Sequence, residues 1–565
     1  MIVKINLPDG RQLDYDTESR ESLWQCLRRH DVLISGDCDG RGRCGQCRGT
    51  VSTQGQSPKE RLLCRYYPTQ SVAVTNFKLE TQHTILTEGT LPHFEYRPAI
   101  TKRILTAGEA QQASKQLGLS MDEQTHQWTG VYDQGEIFSI EPGDTTAWQY
   151  GLAVDIGTTT VVVTLVNLLT GEQLATKSQL NQQGQYGSDV LTRITHVMDS
   201  GLSGLDNLQT AVINTIKGLI QALRIQTGVN SQYIYQMVIA GNPVMLHLLL
   251  GINPEPLGRS PYELVVKSSQ NFQVHPEWDW SINSRARIIT LPMISAYVGA
   301  DVVCGAYVAE LDRQDQAIVI DIGTNGEMIL ASNQHLLSCS TAAGPAFEGM
   351  NITSGMKASS GAIEEVRLTP EGAVLSVISN TEPIGLCGSG VLAALREGLR
   401  YQLVNERGRI IDPQSLAPDD DRLQYIEVDA TGKRRIRLAE GVYLSQQDIR
   451  QVQLAKGAIM AGIEQLLVEA QTTAEAIQHV YIAGQFGAHI DESSLIETGI
   501  LPQAFKNKLH YLGNTSHSGA YMALMSLDVR QDLEALSQRI EPLELSLMDD
   551  YQRRFVRHTL FEKRG

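Results

Sequence analysis

One short pattern occurs twice in this chain and constrains its fold more than any other feature. Ala317-Ile318-Val319-Ile320-Asp321-Ile322-Gly323-Thr324-Asn325-Gly326-Glu327 is an apolar run that ends on an aspartate. A Gly-Thr-Asn-Gly turn follows, then a second apolar run, Met328-Ile329-Leu330. This reads as a buried strand delivering a carboxylate to a tight loop whose glycines let the backbone approach a ligand. Ala153-Val154-Asp155-Ile156-Gly157-Thr158-Thr159-Thr160 repeats it. Two such loops facing each other would clamp the phosphates of a nucleotide.

The sequence around the two copies runs in parallel. The first predicts strands over Leu152–Ile156, Val161–Asn167 and Gln173–Leu180. The second predicts Ile318–Ile322, Glu327–Leu330 and Leu336–Ser340. Each copy later reaches an apolar run ending in Ala-Gly, at Gly241 and at Gly484, the latter continuing Gln-Phe-Gly487. Self-similarity of this kind predicts a duplicated α/β lobe with a cleft between its halves. Helices are predicted where apolar residues recur at 3–4 spacing, from Leu205 to Leu223 and from a capping-box start at Ser445–Asp448 toward Ala470.

At 565 residues the chain exceeds one ordinary core. Its formal charge of -16 argues against nonspecific nucleic-acid binding, which needs a basic face. No apolar run reaches the roughly 18 residues of a membrane span, and the N-terminus alternates like a strand instead of carrying a signal-peptide core. A cytoplasmic protein is expected.

Four of the eight cysteines cluster near the N-terminus. Cys38, Cys44 and Cys47 sit in a Gly-rich loop with gaps of five and two residues, and Cys64 follows after a gap of sixteen. In a large cytosolic chain such clustering points to metal, not disulfides. Glycines suit an iron–sulfur cluster, whose sulfurs need nearby backbone N–H donors. Arg41, Arg43 and Arg48 would offset its negative charge. The alternative is structural zinc, which usually pairs two short Cys-x2-4-Cys knuckles, whereas only one is present. Cys26 lies on a helical pattern and reads as core. The organisation expected is a small domain over 1–78, a linker over 79–96, a small α/β module over 97–149 with a helix at Thr106–Leu117 and a strand at Val131–Ile140, and the duplicated domain over 150–565, its lobes meeting near 315.

The twofold Asp-Ile-Gly-Thr pattern with later Gly-rich strand ends resembles the superfamily of acetate and sugar kinases, Hsp70 and actin. A P-loop signature is absent from the sequence. Further segments narrow the resemblance: Asn181–Ile194, Gly241–Gly251, Leu291–Asp301, Ser340–Gly349, Cys387–Gly390 and Leu454–Ile459. With the cysteine domain, the chain resembles the ATP-dependent reductive activators of corrinoid proteins over nearly its whole length. It departs from them in a short middle region and at Asn242-Pro243, where Asn-Thr is expected.

The resemblance implies an α/β multidomain protein. Its parts would be a β-grasp [2Fe–2S] ferredoxin domain, a linker, a small middle domain and a duplicated RNase H-like ATPase domain. It implies that Cys38, Cys44, Cys47 and Cys64 hold the cluster. Asp155 and Asp321 would orient Mg²⁺ and phosphate, the alternative being strand-end turn caps. Gly157, Thr158, Thr159, Thr160, Gly323, Thr324, Asn325 and Gly326 would form the phosphate loops, with Gly484 and Gly487 bordering the nucleotide. Ser340 would face the corrinoid and supply an oxygen to Co(II), the alternative being a hydroxyl that caps the following helix. The implied reaction transfers one electron to inactive Co(II), regenerating Co(I) for methyl transfer. Such a cluster sits near about -400 mV, and each 100 mV of deficit costs about 2.3 kcal/mol for one electron, which ATP would offset. Implied partners are a corrinoid protein or corrinoid-dependent methyltransferase and a low-potential donor (ferredoxin, flavodoxin or reductase), with the chain itself a homodimer. Competing readings are an activator of another low-potential enzyme, such as a dehydratase or reductase, a small-molecule kinase with a fused redox sensor, and a non-enzymatic redox-sensing scaffold.

Overall fold

The computed structural model describes residues 2–6, 12–16, 21–29, 34, 47–53, 57–77, 89–122, 125–484, 490–548 and 550–562. The chain forms two compact units. One comprises Met1–Thr84, Pro345–Val404 and Arg409–Gln451; the other comprises Ile85–Gly344, Asn405–Gly408 and Val452–Gly565.

In the first unit, Ile2–Asn6 pairs antiparallel with Gln12–Asp16 and parallel with Val72–Thr75. Arg48–Thr53 and Lys59–Leu62 extend this sheet beyond Val72–Thr75. Val3, Ile5, Val51, Val72 and Val74 alternate inward onto helix Leu23–Arg29, whose Leu23, Cys26 and Leu27 are fully buried. Burial pushes the Cys26 thiol up to about 11, as suits a core residue. The Arg48 guanidinium pairs with Glu60 at 3.0 Å on an exposed face. Arg41 and Arg43 lie outside the described residues. The helix predicted from Ser445–Asp448 spans Gln446–Glu469, and its cap forms: Ser445 N–H donates to Asp448 at 2.7 Å, and Asp448 N–H to Ser445 Oγ at 3.2 Å. The Gly388–Gly390 pair opens helix Gly388–Arg400. A Cβ on either glycine would fall within 2 Å of a backbone oxygen, at 1.7 Å from Phe347 and 1.9 Å from Ile363. Close backbone packing therefore requires glycine at both positions.

The second unit contains the duplication. One sheet runs Gln173–Leu180, Thr160–Asn167, Tyr150–Ile156, Ile234–Gly241, Arg287–Thr290, Gln270–Gln273; the other runs His335–Thr341, Gly326–Ser332, Ala317–Ile322, His479–Ala483, Leu509–Gly513, with Ile540–Pro542 beyond His335–Thr341. In each, three antiparallel strands lead to two parallel ones. Helix Ala300–Val308, which follows the first sheet in sequence, packs on Ala317–Ile322 and Gly326–Ser332 of the second. Helix Thr515–Met525, from near the C-terminus, packs on Tyr150–Ile156 and Ile234–Gly241 of the first. The two helices touch at Gly519, where a Cβ would stand 2.2 Å from Cys304 Sγ. Gly519→Ala is therefore expected to cost about 1–3 kcal/mol through overpacking, read as a lowered urea midpoint with an unchanged slope.

Two expectations need correction. Val131–Ile140 is not one strand but a hairpin, Trp128–Asp133 and Glu136–Pro142, broken at Gln134-Gly135, both with positive φ. The second half of the expected linker is fixed in place. Gly89 bridges Gly513, Thr90 N–H donates to Leu512 at 2.8 Å, and Arg97 N–H donates to Met525 at 2.8 Å. Phe94 and Tyr96 pack with Tyr521. The small module is pinned to the first lobe by Lys102. This buried ammonium donates to Glu141, Thr145 and Trp148 at 2.8–3.1 Å, and Glu141 accepts from Tyr235 at 2.5 Å.

Candidate active site

Strand register places the two aspartates. Asp155 stands level with Val162 and Ala240, and Asp321 with Glu327 and Ala483. Both are partly exposed at the ends of otherwise buried strands. Neither is explained as a local cap. Asp155 accepts from Asn514 Nδ2 at 3.0 Å and from Ser516 Oγ at 2.6 Å. Asn514 also caps helix Thr515–Met525, accepting from His517 N–H at 3.0 Å, so a helix N-terminus lies beside this carboxylate. His517 is buried, its Nε2 2.7 Å from Thr164 Oγ1, and burial lowers it to about 4, which keeps it neutral. Asp321 is met by Gly484, whose φ is +86°. A Cβ there would lie 2.2 Å from Asp321 Oδ1, so only glycine lets this strand end pass so close to the carboxylate.

The first loop is held from behind. Gly157 N–H donates to the Thr160 carbonyl at 2.9 Å, and Asn181 N–H to that of Thr159 at 2.8 Å. Buried Arg193 donates to the Thr158 carbonyl at 2.5 Å. Asn242 donates to Thr158 Oγ1 at 3.1 Å while capping helix Pro243–Leu249, so Pro243 is accommodated at the first helical position. With the loop carbonyls engaged, the Thr158 and Thr159 N–H groups have no acceptor among the described residues, the arrangement an anion needs. The second loop closes by Gly323 N–H to Asn325 at 2.9 Å, and Gly344 N–H donates to Thr324 at 2.8 Å. Gly326 begins the next strand.

Four carboxylates share this region. Burial, and then the neighbouring charge of Asp155, raise Asp321 to about 6. Asp301, in the first turn of Ala300–Val308, rises to about 7 through burial and then Asp321 and Asp155. Burial raises Asp155 against the hydrogen bonds of Ser516 and Asn514. Burial followed by Asp321 and Asp301 holds Glu327 well above the carboxylate range. Such crowding favours a cation or a proton. Among the described residues no three His, Cys, Asp or Glu side chains form a metal-binding group. Mg²⁺ that keeps its waters and takes one or two carboxylates plus substrate phosphates needs no such group. A raised acid pKa stabilises the fold most at low pH, and that stabilisation is lost as pH climbs from 3.8 through about 7 for Asp301. Without Mg²⁺ or nucleotide, Asp301→Asn should therefore gain on the wild type between pH 4 and 7.5, by on the order of 2 kcal/mol once water at this partly exposed group is allowed for. Paired thermal melts across that range measure the difference, in which other titrations cancel.

Ser340 lies within strand His335–Thr341, level with Glu327, to which its hydroxyl donates at 3.3 Å. It does not cap a helix. Asp301, Glu327, Asn514 and Ser516 were not singled out from sequence as site residues. The signal for Glu327 was a charge opening an otherwise apolar strand; for Asn514–Ser516 it was a helix-cap pattern, whose contact with Asp155 spans about 360 positions and leaves no local trace. His247 is fully buried with Nδ1 2.7 Å from the Pro243 carbonyl. Gly487 lies outside the described residues, as do Cys38 and Cys44. Cys47 and Cys64 are buried and unbridged, and Leu63 N–H donates to the Cys47 carbonyl at 2.8 Å, joining the two cysteine-bearing turns. Two thiols so placed fit one side of a four-cysteine cluster.

A family model described as the C-terminal domain of RACo, the ASKHA domain, matches residues 315–565, and one described as the RACo middle region matches 150–314. The chain belongs to the RACo family. Its α/β architecture includes the ASKHA domain of that family, with the two models meeting between the two sheets. Among relatives, this RACo-family chain is 27% identical over 563 residues to a corrinoid activation enzyme, RamQ, of Eubacterium limosum, covering 93% of each chain. It is 25% identical over 426 residues to a [Co(II) methylated amine-specific corrinoid protein] reductase of Methanosarcina barkeri, covering 69% of this chain and 73% of that protein. A solved reductive activator for corrinoid, iron–sulfur protein is 28% identical, with a TM-score of 0.71 and coverage of 99% of this chain and 98% of the other. No helix among the described residues is long and apolar enough to cross a membrane.

Proposed function

We propose that this chain is an ATP-dependent reductive activator of a corrinoid protein, passing one electron to inactive Co(II) to restore Co(I). The observation that carries the reading is the pair of matched loops with Asp155 and Asp321 at their strand ends, in a chain similar end to end to a solved reductive activator for corrinoid, iron–sulfur protein. The loop N–H groups of Thr158 and Thr159, with Thr324 and Asn325 opposite, bind the nucleotide phosphates. Asp155, held by Asn514 and Ser516, and Asp321, beside Gly484, orient Mg²⁺ through its waters. A cation bound there would offset the mutual repulsion of the crowded carboxylates.

Cys47 and Cys64, with Cys38 and Cys44, would hold a [2Fe–2S] cluster, which supplies a low-potential one-electron couple when bound. The sheet order of the N-terminal region, with Ile2–Asn6 parallel to Val72–Thr75 at its centre, supports a β-grasp ferredoxin domain. Ser340, partly exposed beside the nucleotide loop, is the hydroxyl offered to the corrinoid. The reading includes a low-potential donor, a cytoplasmic setting and a homodimer, all drawn from the family resemblance.

The test is direct. Cluster-loaded protein is mixed with a Co(II) corrinoid protein and a reductant, and the cobalt spectrum is followed with and without ATP. Co(I), or the methyl-Co(III) formed when a methyl donor traps it, should accumulate only with ATP. Equal accumulation without it refutes the proposal.

A further inference from the structure

Asn181, Gln183 and Arg193 lie within one short segment, and all three are buried. A buried guanidinium is costly unless its donors are met. Arg193 Nε donates to the Gly187 carbonyl at 3.0 Å, Nη1 to Gln183 Oε1 at 3.0 Å and to Met245 Sδ at 2.9 Å, and Nη2 to the Thr158 carbonyl at 2.5 Å. Asn181 Nδ2 donates to the Gly157 carbonyl at 3.0 Å and to Gln183 Oε1 at 3.2 Å. Gln183 is fixed in turn: its N–H donates to Asn181 Oδ1 at 3.1 Å and its Nε2 to the Leu208 carbonyl at 2.9 Å. The three side chains therefore form one connected network that ends on two successive carbonyls of the first loop.

In a planar trans peptide the C=O and N–H point in opposite directions. The Gly157 carbonyl shares its peptide with the Thr158 N–H, and the Thr158 carbonyl shares its peptide with the Thr159 N–H. Asn181 thus fixes the direction of the first N–H and Arg193 that of the second. These are the two N–H groups left without an acceptor among the described residues. A hydrogen bond to the carbonyl also polarises its peptide and strengthens the donor at the other end, most of all when the bond comes from a charged group. The second loop is backed differently. Gly323 N–H meets the Asn325 carbonyl and Gly344 N–H that of Thr324, both of them main-chain donors.

We infer that Asn181 and Arg193 are positioning residues that aim the Thr158 and Thr159 N–H groups at the phosphates of a nucleotide, and that they set how strongly the site prefers a triphosphate to the bare nucleoside. The inference rests on the function proposed above and names the residues that make its first loop a phosphate site.

The test is isothermal calorimetry on the full-length, cluster-loaded protein with Mg²⁺-ATP and, separately, with adenosine. The wild type should bind ATP at least about 100-fold more tightly. Arg193→Gln should lower that ratio about 30-fold and Asn181→Ala about tenfold, through ATP alone, as expected for losing a charged and a neutral donor. Arg193→Lys keeps the charge but not the fork and should fall between the wild type and Arg193→Gln. Damage to the fold alone would weaken both ligands together. If Arg193→Gln does not fold, Asn181→Ala and Arg193→Lys carry the reading. A wild-type ratio in Asn181→Ala or in the folded Arg193 variants, or equal weakening of ATP and adenosine, overturns the inference alone. A wild type that binds ATP no more tightly than adenosine overturns the inference together with the proposed role of the loop. Ratios as expected, in a protein whose Co(I) formation ignores ATP, overturn the proposed function and uphold the inference.

Discussion

Asp321→Asn is expected to lower ATP-dependent Co(I) formation at least about 100-fold, the scale seen when a preorganised electrostatic contact to a reacting phosphate is removed. The substitution keeps the size of a side chain wedged against Gly484, where the space for a Cβ is already taken by Asp321 Oδ1. Loss of packing therefore does not account for the defect. The visible spectrum of the cluster should be unchanged, and so should its chemical reduction. Steady-state ATP hydrolysis and trapped Co(I), measured on the same preparation, should fall together. If Co(I) formation survives while hydrolysis is lost, nucleotide binding alone drives the reaction and the role given to Asp321 is wrong. Asp155→Asn should behave similarly but with an added loss of stability, because Asn514 and Ser516 both donate to that carboxylate.

Cys47→Ser should remove the cluster's visible absorbance and with it all electron delivery, while ATP binding persists. Cys47 is buried at the start of strand Arg48–Thr53 and tied to the Cys64 turn by Leu63, so a serine there is the wrong donor in a place that cannot rearrange to supply another. ATP binding can be followed by isothermal calorimetry on the iron-free variant. Retained absorbance at wild-type iron content would show that Cys47 is not a ligand. Cys26→Ser, by contrast, should keep the spectrum, since Cys26 packs into the core from helix Leu23–Arg29.

The duplicated loops were legible because the physics that makes them is local. A buried strand needs an unbroken apolar run, and a carboxylate at its end is conspicuous. The same holds for helix Gln446–Glu469, whose cap residues and apolar face are contiguous in sequence. What sequence did not disclose depends on distance along the chain. The donors to Asp155 come from the far end of the polypeptide, and Glu327 takes its meaning only from the strands on either side. The hairpin at Gln134-Gly135 does carry a local signal, the polar Asp133-Gln134-Gly135-Glu136 between two apolar runs, which an expectation of one continuous strand passes over; both turn residues take positive φ. Gly89–Arg97 shows no periodicity, yet isolated backbone bridges and two aromatic rings fix it, and neither leaves a repeating pattern.

The exchange of helices in the second unit bears on how this protein can be divided. Thr515–Met525 covers the first sheet with a fully buried face: Leu524 lies against Gly151, Tyr521 donates to the Gly171 carbonyl at 2.7 Å, and His517 reaches Thr164. Ala300–Val308 packs on the second sheet and also on Ile234–Gly241 of the first. A fragment ending at residue 314, where the two family models meet, would keep the first sheet but lose its lid, and one beginning at 315 would keep that lid with nothing beneath it. Neither piece has a closed core of its own. The lobes that look like two domains in sequence should therefore melt as one body, in a single calorimetric transition, and should be recovered as a soluble pair only when both halves are produced together.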